Sequence, residues 1–187
     1  MKLILTRHGE TEDNVRGILQ GQLPGKLTKL GIEQGRKVAQ RLKHEKIDVI
    51  YSSDLARAAD TARLIAEFHP DAPFHLVKEL RERDKGRFTG KHRDEVDLSS
   101  AEIESLTVLQ NRTKSFLDKV YDSHPEETVL FVAHNGISKA LVSVIIGERK
   151  EYVDDTEDHK HTAVSIFELK EDKKHKVHLL NCVRHLE

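Results

Sequence analysis

The sequence predicts an α/β fold: a three-layer α/β/α sandwich with a mostly parallel central sheet and an antiparallel edge strand. Three observations predict it. Short apolar, β-prone runs occur at Lys2–Thr6, Asp48–Tyr51, Phe74–Val77 and Thr128–Ala133, most of them apolar on both faces, as buried parallel strands are. Helical apolar periods fall between the runs, which implies right-handed crossovers that cover both faces of the sheet. The C-terminal part changes character: Ala163–Leu169 and Lys176–Leu180, joined through Lys170–His175, read as a hairpin added at or near the sheet edge.

In chain order, the first strand is followed by a helix carrying Ile32, Gly35, Val38, Ala39 and Leu42, and the second by one carrying Leu55, Ala58, Ala59, Ala62 and Ile65. After the third strand, Ile103, Leu106, Leu109, Phe116, Leu117 and Val120 share the 3.6-residue period of a helix expected to begin near Ala101. A last helix carries Ile137, Ala140, Leu141, Val144 and Ile145. The 187 residues suit one domain, 1–187, with no linker, repeat or low-complexity tract.

Composition narrows the function classes. Lys plus Arg total 31 against 32 Asp plus Glu, which argues against a general nucleic-acid or anionic-membrane binder. With no apolar run near the start longer than Leu3-Ile4-Leu5, the N-terminus is expected to stay in the mature protein, and no membrane span is expected. A single cysteine, Cys182, cannot close an intrachain disulfide, so a reducing cytoplasm fits best. Oligomeric state does not show in the sequence.

In an open α/β sheet, ligands bind beyond the carboxyl ends of the strands. Four such exits carry chemistry here. Arg7-His8-Gly9-Glu10-Thr11 follows the first strand, and Ser52-Ser53-Asp54-Leu55-Ala56-Arg57 follows the second, where Ser53 or Asp54 is placed to cap a helix. Leu80–Gly86, after the third, holds Glu82 among cations. Val132-Ala133-His134-Asn135-Gly136 closes the fourth. Two histidines, two arginines and a glutamate suit phosphoryl transfer without metal. An imidazole nitrogen attacks phosphorus, guanidiniums and a second imidazole hold the equatorial oxygens, and a carboxyl group protonates the leaving oxygen. Residue types and spacing alone leave blander uses open: core histidines, surface ion pairs at Arg7 and Arg57, and a salt-bridge network around Glu82, with Asp84 as the substitute acid.

The segments together resemble the histidine phosphatase superfamily in its phosphoglycerate mutase-like branch, over nearly the whole chain. RHGET at Arg7–Thr11 resembles the family signature, SSDLARAADTA at Ser52–Ala62 its second-arginine segment, and LRERDKGRFTG at Leu80–Gly90 its general-acid segment. VAHNG at Val132–Gly136 is similar to its second-histidine segment, and Asn181–Leu186 to its C-terminal strand and exit. The resemblance implies that His8 is the phosphorylated nucleophile, that Arg7, Arg57 and His134 form the phosphate pocket, and that Glu82 is the proton donor. It also implies that Asn14, Gln20 and Gly21 line the pocket. Asn135 stands where the branch more often has glycine and is expected to bear on substrate preference.

The resulting expectation is a phosphatase acting on a small phosphorylated metabolite through phosphohistidine at His8, with no cofactor. The rivals are a phosphoglycerate mutase-type phosphotransferase and a noncatalytic phospho-ligand binding module. Mutases of the branch carry a longer insert after the general-acid segment, whereas only Lys91–Ser100 follows Gly90 here. A barely covered pocket would admit water and favour hydrolysis. The basic stretch Lys85–Arg93, notably Arg87 and Lys91, is a candidate for binding a second acidic group. Among twelve histidines, His159 with His161 and His175 with His178 invite a metal reading, but no carboxylate or cysteine completes a ligand spacing, so no metal site is assigned.

Overall fold

The protein is described from a computed structural model covering residues 1–147 and 158–187. Its centre is a six-stranded sheet in the order β3-β2-β4-β1-β5-β6. These strands are β1 (Lys2–Arg7), β2 (Val49–Ser53), β3 (Phe74–Val77), β4 (Thr128–Ala133), β5 (Val164–Glu168) and β6 (Lys176–Cys182). The first four run parallel; β5 pairs antiparallel with β1, and β6 with β5. All six residues of β4 are buried, which matches its unbroken apolar run Val129–Ala133.

After the four-residue α1 (Glu12–Val15) come α2 (Lys29–Leu42), α3 (Ala56–Ala66), α4 (Leu106–Ser123) and α5 (Asn135–Ile146). Successive side chains of a strand point to opposite faces, so β1 and β4 serve two cores at once. Ile4, Leu130 and Val132 join Val38, Leu42 and Ile65 of α2 and α3 on one face. Leu3, Leu5, Val129 and Phe131 join Phe116, Leu117 and Leu141 of α4 and α5 on the other. The chain leaves β1 for one face and β4 for the opposite one, and a crevice opens between those two neighbours. Among the described residues, no helix is long and apolar enough to cross a membrane.

Three details depart from the sequence reading. β3 is an edge strand with His75 and Leu76 exposed, so its apolar look does not mean burial on both faces. α4 starts at Leu106, where the Ser105 side chain accepts from the Val108 N–H; Ile103 is buried in the preceding turn and only mimics the helical period. Neither Ser53 nor Asp54 caps α3: Leu55 is its N-cap, and Asp54 instead takes a two-pronged bond from Arg81, with both N···O distances 2.6 Å.

Candidate active site

The ladder between β1 and β4 sets the geometry. Arg7 lies opposite Ala133 at its end, and the His8 N–H extends it by donating to the Ala133 carbonyl at 3.0 Å. His8 and His134 therefore leave adjacent strands side by side, with ring centroids 5.1 Å apart. Both are buried, at 2% and 0% exposure. Gly9 is required by packing, because a Cβ there would run into the Gly31 carbonyl at the start of α2. That contact clamps the β1 exit against the helix.

Arg57 is among the largest fully buried side chains of the protein. Its Nε donates to His8 Nε2 at 3.2 Å, its Nη2 to the Gly21 carbonyl at 2.9 Å, and its Nη1 to the Leu23 carbonyl. Arg7 lines the same cavity and donates from Nη1 to the His159 carbonyl at 2.5 Å. On His8, Nδ1 lies 2.7 Å from the Gly9 carbonyl oxygen, a pure acceptor, so Nδ1 carries the hydrogen and Nε2 carries the lone pair. Burial, then Arg57, His134 and Arg7, hold the His8 pKa well below its usual value, and the ring is neutral. His134 is pushed the same way by burial and then by Arg57 and Arg7. Arg57 falls to about 10, chiefly through burial, and remains a cation at neutral pH. Both His134 ring nitrogens and Arg7 Nε are buried without a hydrogen-bond partner among the described residues. Such groups are costly unless a ligand supplies the missing bonds.

Glu82 faces this cavity from the loop after β3. Its Oε1 accepts from the Arg83 N–H at 2.8 Å and its Oε2 from the Gly136 N–H of α5 at 3.1 Å. A Cβ on Gly136 would come within 2.5 Å of Glu82 Oε1, so the missing side chain makes room for the carboxylate. The loop is tied down at both ends. Arg81 grips Asp54, and Arg112 of α4 bonds the Glu79 and Arg81 carbonyls while pairing with Glu104. Asp84 turns away and caps its own loop through the Gly86 N–H.

The expected lining residues Asn14, Gln20, Gly21 and Asn135 all border the cavity, whose volume is about 710 Å³. Asn135 does so through its neighbours: its Oδ1 accepts from the His159 N–H and its Nδ2 donates to Asp158. The basic stretch is redistributed. Arg87 pairs with Glu102 and Lys91 lies over the Phe88 ring, while Lys85 and Arg93 of the stretch, and Arg83 just before it, line the cavity. Lys91–Ser100 is also more of a cover than expected. It pairs back onto residues 17–19 and places Leu98 and Ser99 in the cavity wall.

Sequence reasoning missed Lys139 and Asp158, and weighed His161 only as a metal ligand. Lys139, one turn into α5 and only 7% exposed, reaches Asp158 at 3.2 Å, and both line the cavity. A lysine four residues after Asn135 in an otherwise uncharged helix was the available signal. His161 does not act with His159 as a ligand pair: its Nε2 lies 3.1 Å from Asn14 Oδ1 and its ring 5.8 Å from that of His8. Among the described residues, no group of three or more His, Cys, Asp or Glu is placed to hold a metal ion. What the arrangement offers is an unprotonated imidazole nitrogen at the floor of a cationic cavity, with a carboxylate beside it.

Comparison with known proteins agrees with this geometry. Residues 3–182 match the family model of the histidine phosphatase superfamily (branch 1). Phosphoglycerate mutase-like protein 4 of Arabidopsis thaliana is 30% identical over 205 residues, covering 100% of this chain and 87% of the relative. Phosphoserine phosphatase 1 of Hydrogenobacter thermophilus is 36% identical over 165 residues, covering 79% of this chain and 77% of the relative. The structure of Bacillus stearothermophilus YhfR superposes with a TM-score of 0.91 at 27% identity, covering 100% of this chain and 99% of the other. With its two strand-end histidines side by side in the crevice and a family match that runs nearly end to end, the chain belongs to branch 1 of the histidine phosphatase superfamily and is a phosphatase of that family.

Proposed function

We propose that this phosphatase hydrolyses a small phosphomonoester in two half-reactions on His8. In the first, His8 Nε2 bonds to phosphorus as the ester P–O bond breaks, and the departing oxygen takes a proton from the Glu82 carboxyl group. In the second, water attacks phosphorus and gives its proton to the Glu82 carboxylate, while the N–P bond breaks and its electrons return to Nε2. The bond that Arg57 Nε now makes to Nε2 passes to a phosphoryl oxygen as the ester arrives. Arg7 and the unpartnered nitrogens of His134 take the other oxygens, stabilising charge as it spreads in the transition state. The observation that carries this reading is the His8 tautomer, whose lone pair sits among two guanidiniums and a second imidazole.

The cavity is far larger than a phosphate, with room for an alcohol and for water. Its walls are strongly cationic although the whole chain carries a formal charge of −1. Arg7, Arg57, Arg83, Lys85, Arg93 and Lys139 face Glu82 and Asp158 there. A phosphate dianion occupies Arg7 and Arg57, and Asp158 pairs with Lys139. The excess of cations over carboxylates in this lining as a whole favours an alcohol that bears a further anionic group. The mutase alternative shares the first half-reaction and differs in where the phosphoryl group goes. The lone Cys182 suits a reducing cytoplasm.

The test is to quench the protein during turnover of a labelled small phosphomonoester with chelator present. An acid-labile, alkali-stable label on the peptide containing His8, together with release of free phosphate, is the expected result. Label on another residue, or phosphate passed only to a second acceptor, would overturn it.

A further inference from the structure

We infer that His161 is a positioning residue for phosphate: its Nε2–H holds the Asn14 side-chain amide in the one orientation that offers its NH₂ group to the cavity. The inference rests on the reading that this cavity takes phosphate. Asn14 begins as part of a cap. The Thr11 N–H donates to Asn14 Oδ1 at 3.1 Å and the Thr11 hydroxyl does so at 2.8 Å, while the Asn14 N–H donates to Thr11 Oγ1 at 3.1 Å. A backbone N–H is a donor without ambiguity, so the atom it meets is the amide oxygen; a flipped amide would set two donors against each other. His161 Nε2, 3.1 Å from the same oxygen, must therefore carry the hydrogen. Three donors converge on Oδ1, and the NH₂ end is what they leave over on a residue that walls the cavity.

The surroundings of His161 support a fixed ring. Burial, then Arg7, lower its pKa to about 3, so it stays neutral and holds one ring hydrogen, the one that Asn14 requires. Its neighbours are pinned to the same strand exit. The Thr162 N–H donates to the Arg7 carbonyl at 3.0 Å, and the His159 carbonyl accepts from Arg7. Thr162 is fully buried and adopts a φ of 54°, a left-handed conformation that tertiary contacts must hold in place. The pair Asn14 and His161 is thus assembled across a separation of 147 residues, beside the His8 ring.

The experiment compares His161→Gln with His161→Met. Glutamine places an NH₂ donor near the position of Nε2, whereas methionine fills a similar volume without a donor. Inorganic phosphate is the probe, as competitive inhibitor, with kcat and KM measured on one small phosphomonoester and a thermal melt of each variant. His161→Gln should stay within about twofold of the parent, and His161→Met should weaken phosphate binding and kcat/KM by about tenfold, the net worth of one lost hydrogen bond at the upper end. Adding His161→Met to Asn14→Ala should cost nothing further, because the first change acts only through the second. Equal behaviour of the two His161 variants, or additive losses in the double variant, would overturn the inference. Failure of the parent to bind phosphate at all would instead remove the proposed function. Since Gln and Met are compared with each other, a general loss of stability common to both still decides the question, as an absence of donor dependence.

Discussion

The floor and the wall of the cavity are built by different means. At the floor, His8, His134 and Arg57 are each at most 2% exposed; the β1–β4 ladder fixes the spacing of the two histidines, and Arg57 reaches them from the start of α3. The wall comes from the 14–21 segment, the 81–104 loop and the 158–162 segment, where side-chain bonds between distant residues do the positioning. Arg93 and Ser99 there are exposed, and Lys85 is only half-buried. A floor set by backbone register suits a step every substrate shares; a wall held by adjustable side chains suits the part of a substrate that varies.

The sharpest way to break this comparison is at the floor. His8→Ala should lower kcat by at least about 10⁴-fold while leaving the thermal melt cooperative, as expected when an attacking nucleophile is deleted; near-normal turnover would mean that the floor is not where the chemistry happens. Next comes the junction of floor and wall. Glu82→Gln should slow esters of poor leaving groups by about 10²–10⁴-fold, and activated aryl phosphates distinctly less, since those leave without help. Identical losses for both kinds of ester would assign Glu82 to structure. Smaller again is the effect at the wall alone. Charge reversal at Lys85 and Arg93 should raise KM about tenfold for a phosphomonoester bearing a carboxylate or second phosphate, and hardly for a neutral aryl phosphate. The same reversal at Arg87 and Lys91 should do little, because those side chains face Glu102 and Phe88.

The mildest probe is pH. His8, His134, His159 and His161 all have folded pKa values below the usual 6.5, with His159 at about 4 and His161 at about 3, burial being the first cause for each. Below about pH 6.5 the unfolded chain binds protons that the folded one refuses, so stability falls as the pH drops through that range. The melting temperature should decline by several degrees between about pH 7 and about pH 5, and His8→Ala should flatten the slope. A melting temperature independent of pH across this window would contradict neutral, buried rings.

Much of the floor was legible in the sequence because His8 and His134 stand at the ends of apolar runs that are easy to see, where the ladder aligns them, and Arg57 lies in the first turn of the helix after the next strand. The wall was not. His161 and Asn14 meet only through tertiary packing, and Asp158 gains its meaning from Lys139 and Asn135. Within the basic stretch, composition marks the excess of cations but says nothing about direction. Three short 3₁₀ turns between residues 78 and 95 reorient the side chains, so Lys85 and Arg93 face inward while Arg87 and Lys91 do not. Ile103 misled for a related reason, since apolar residues three apart look the same in a buried turn as on a helix face.

The unpartnered nitrogens of His134 and Arg7 carry one more consequence. Groups that gain so much from an anion do not distinguish an ester from its hydrolysed remnant, so inorganic phosphate should linger after each cycle. The pace of the enzyme would then depend on how much of that ion surrounds it, and a phosphate-starved setting would see it run fastest.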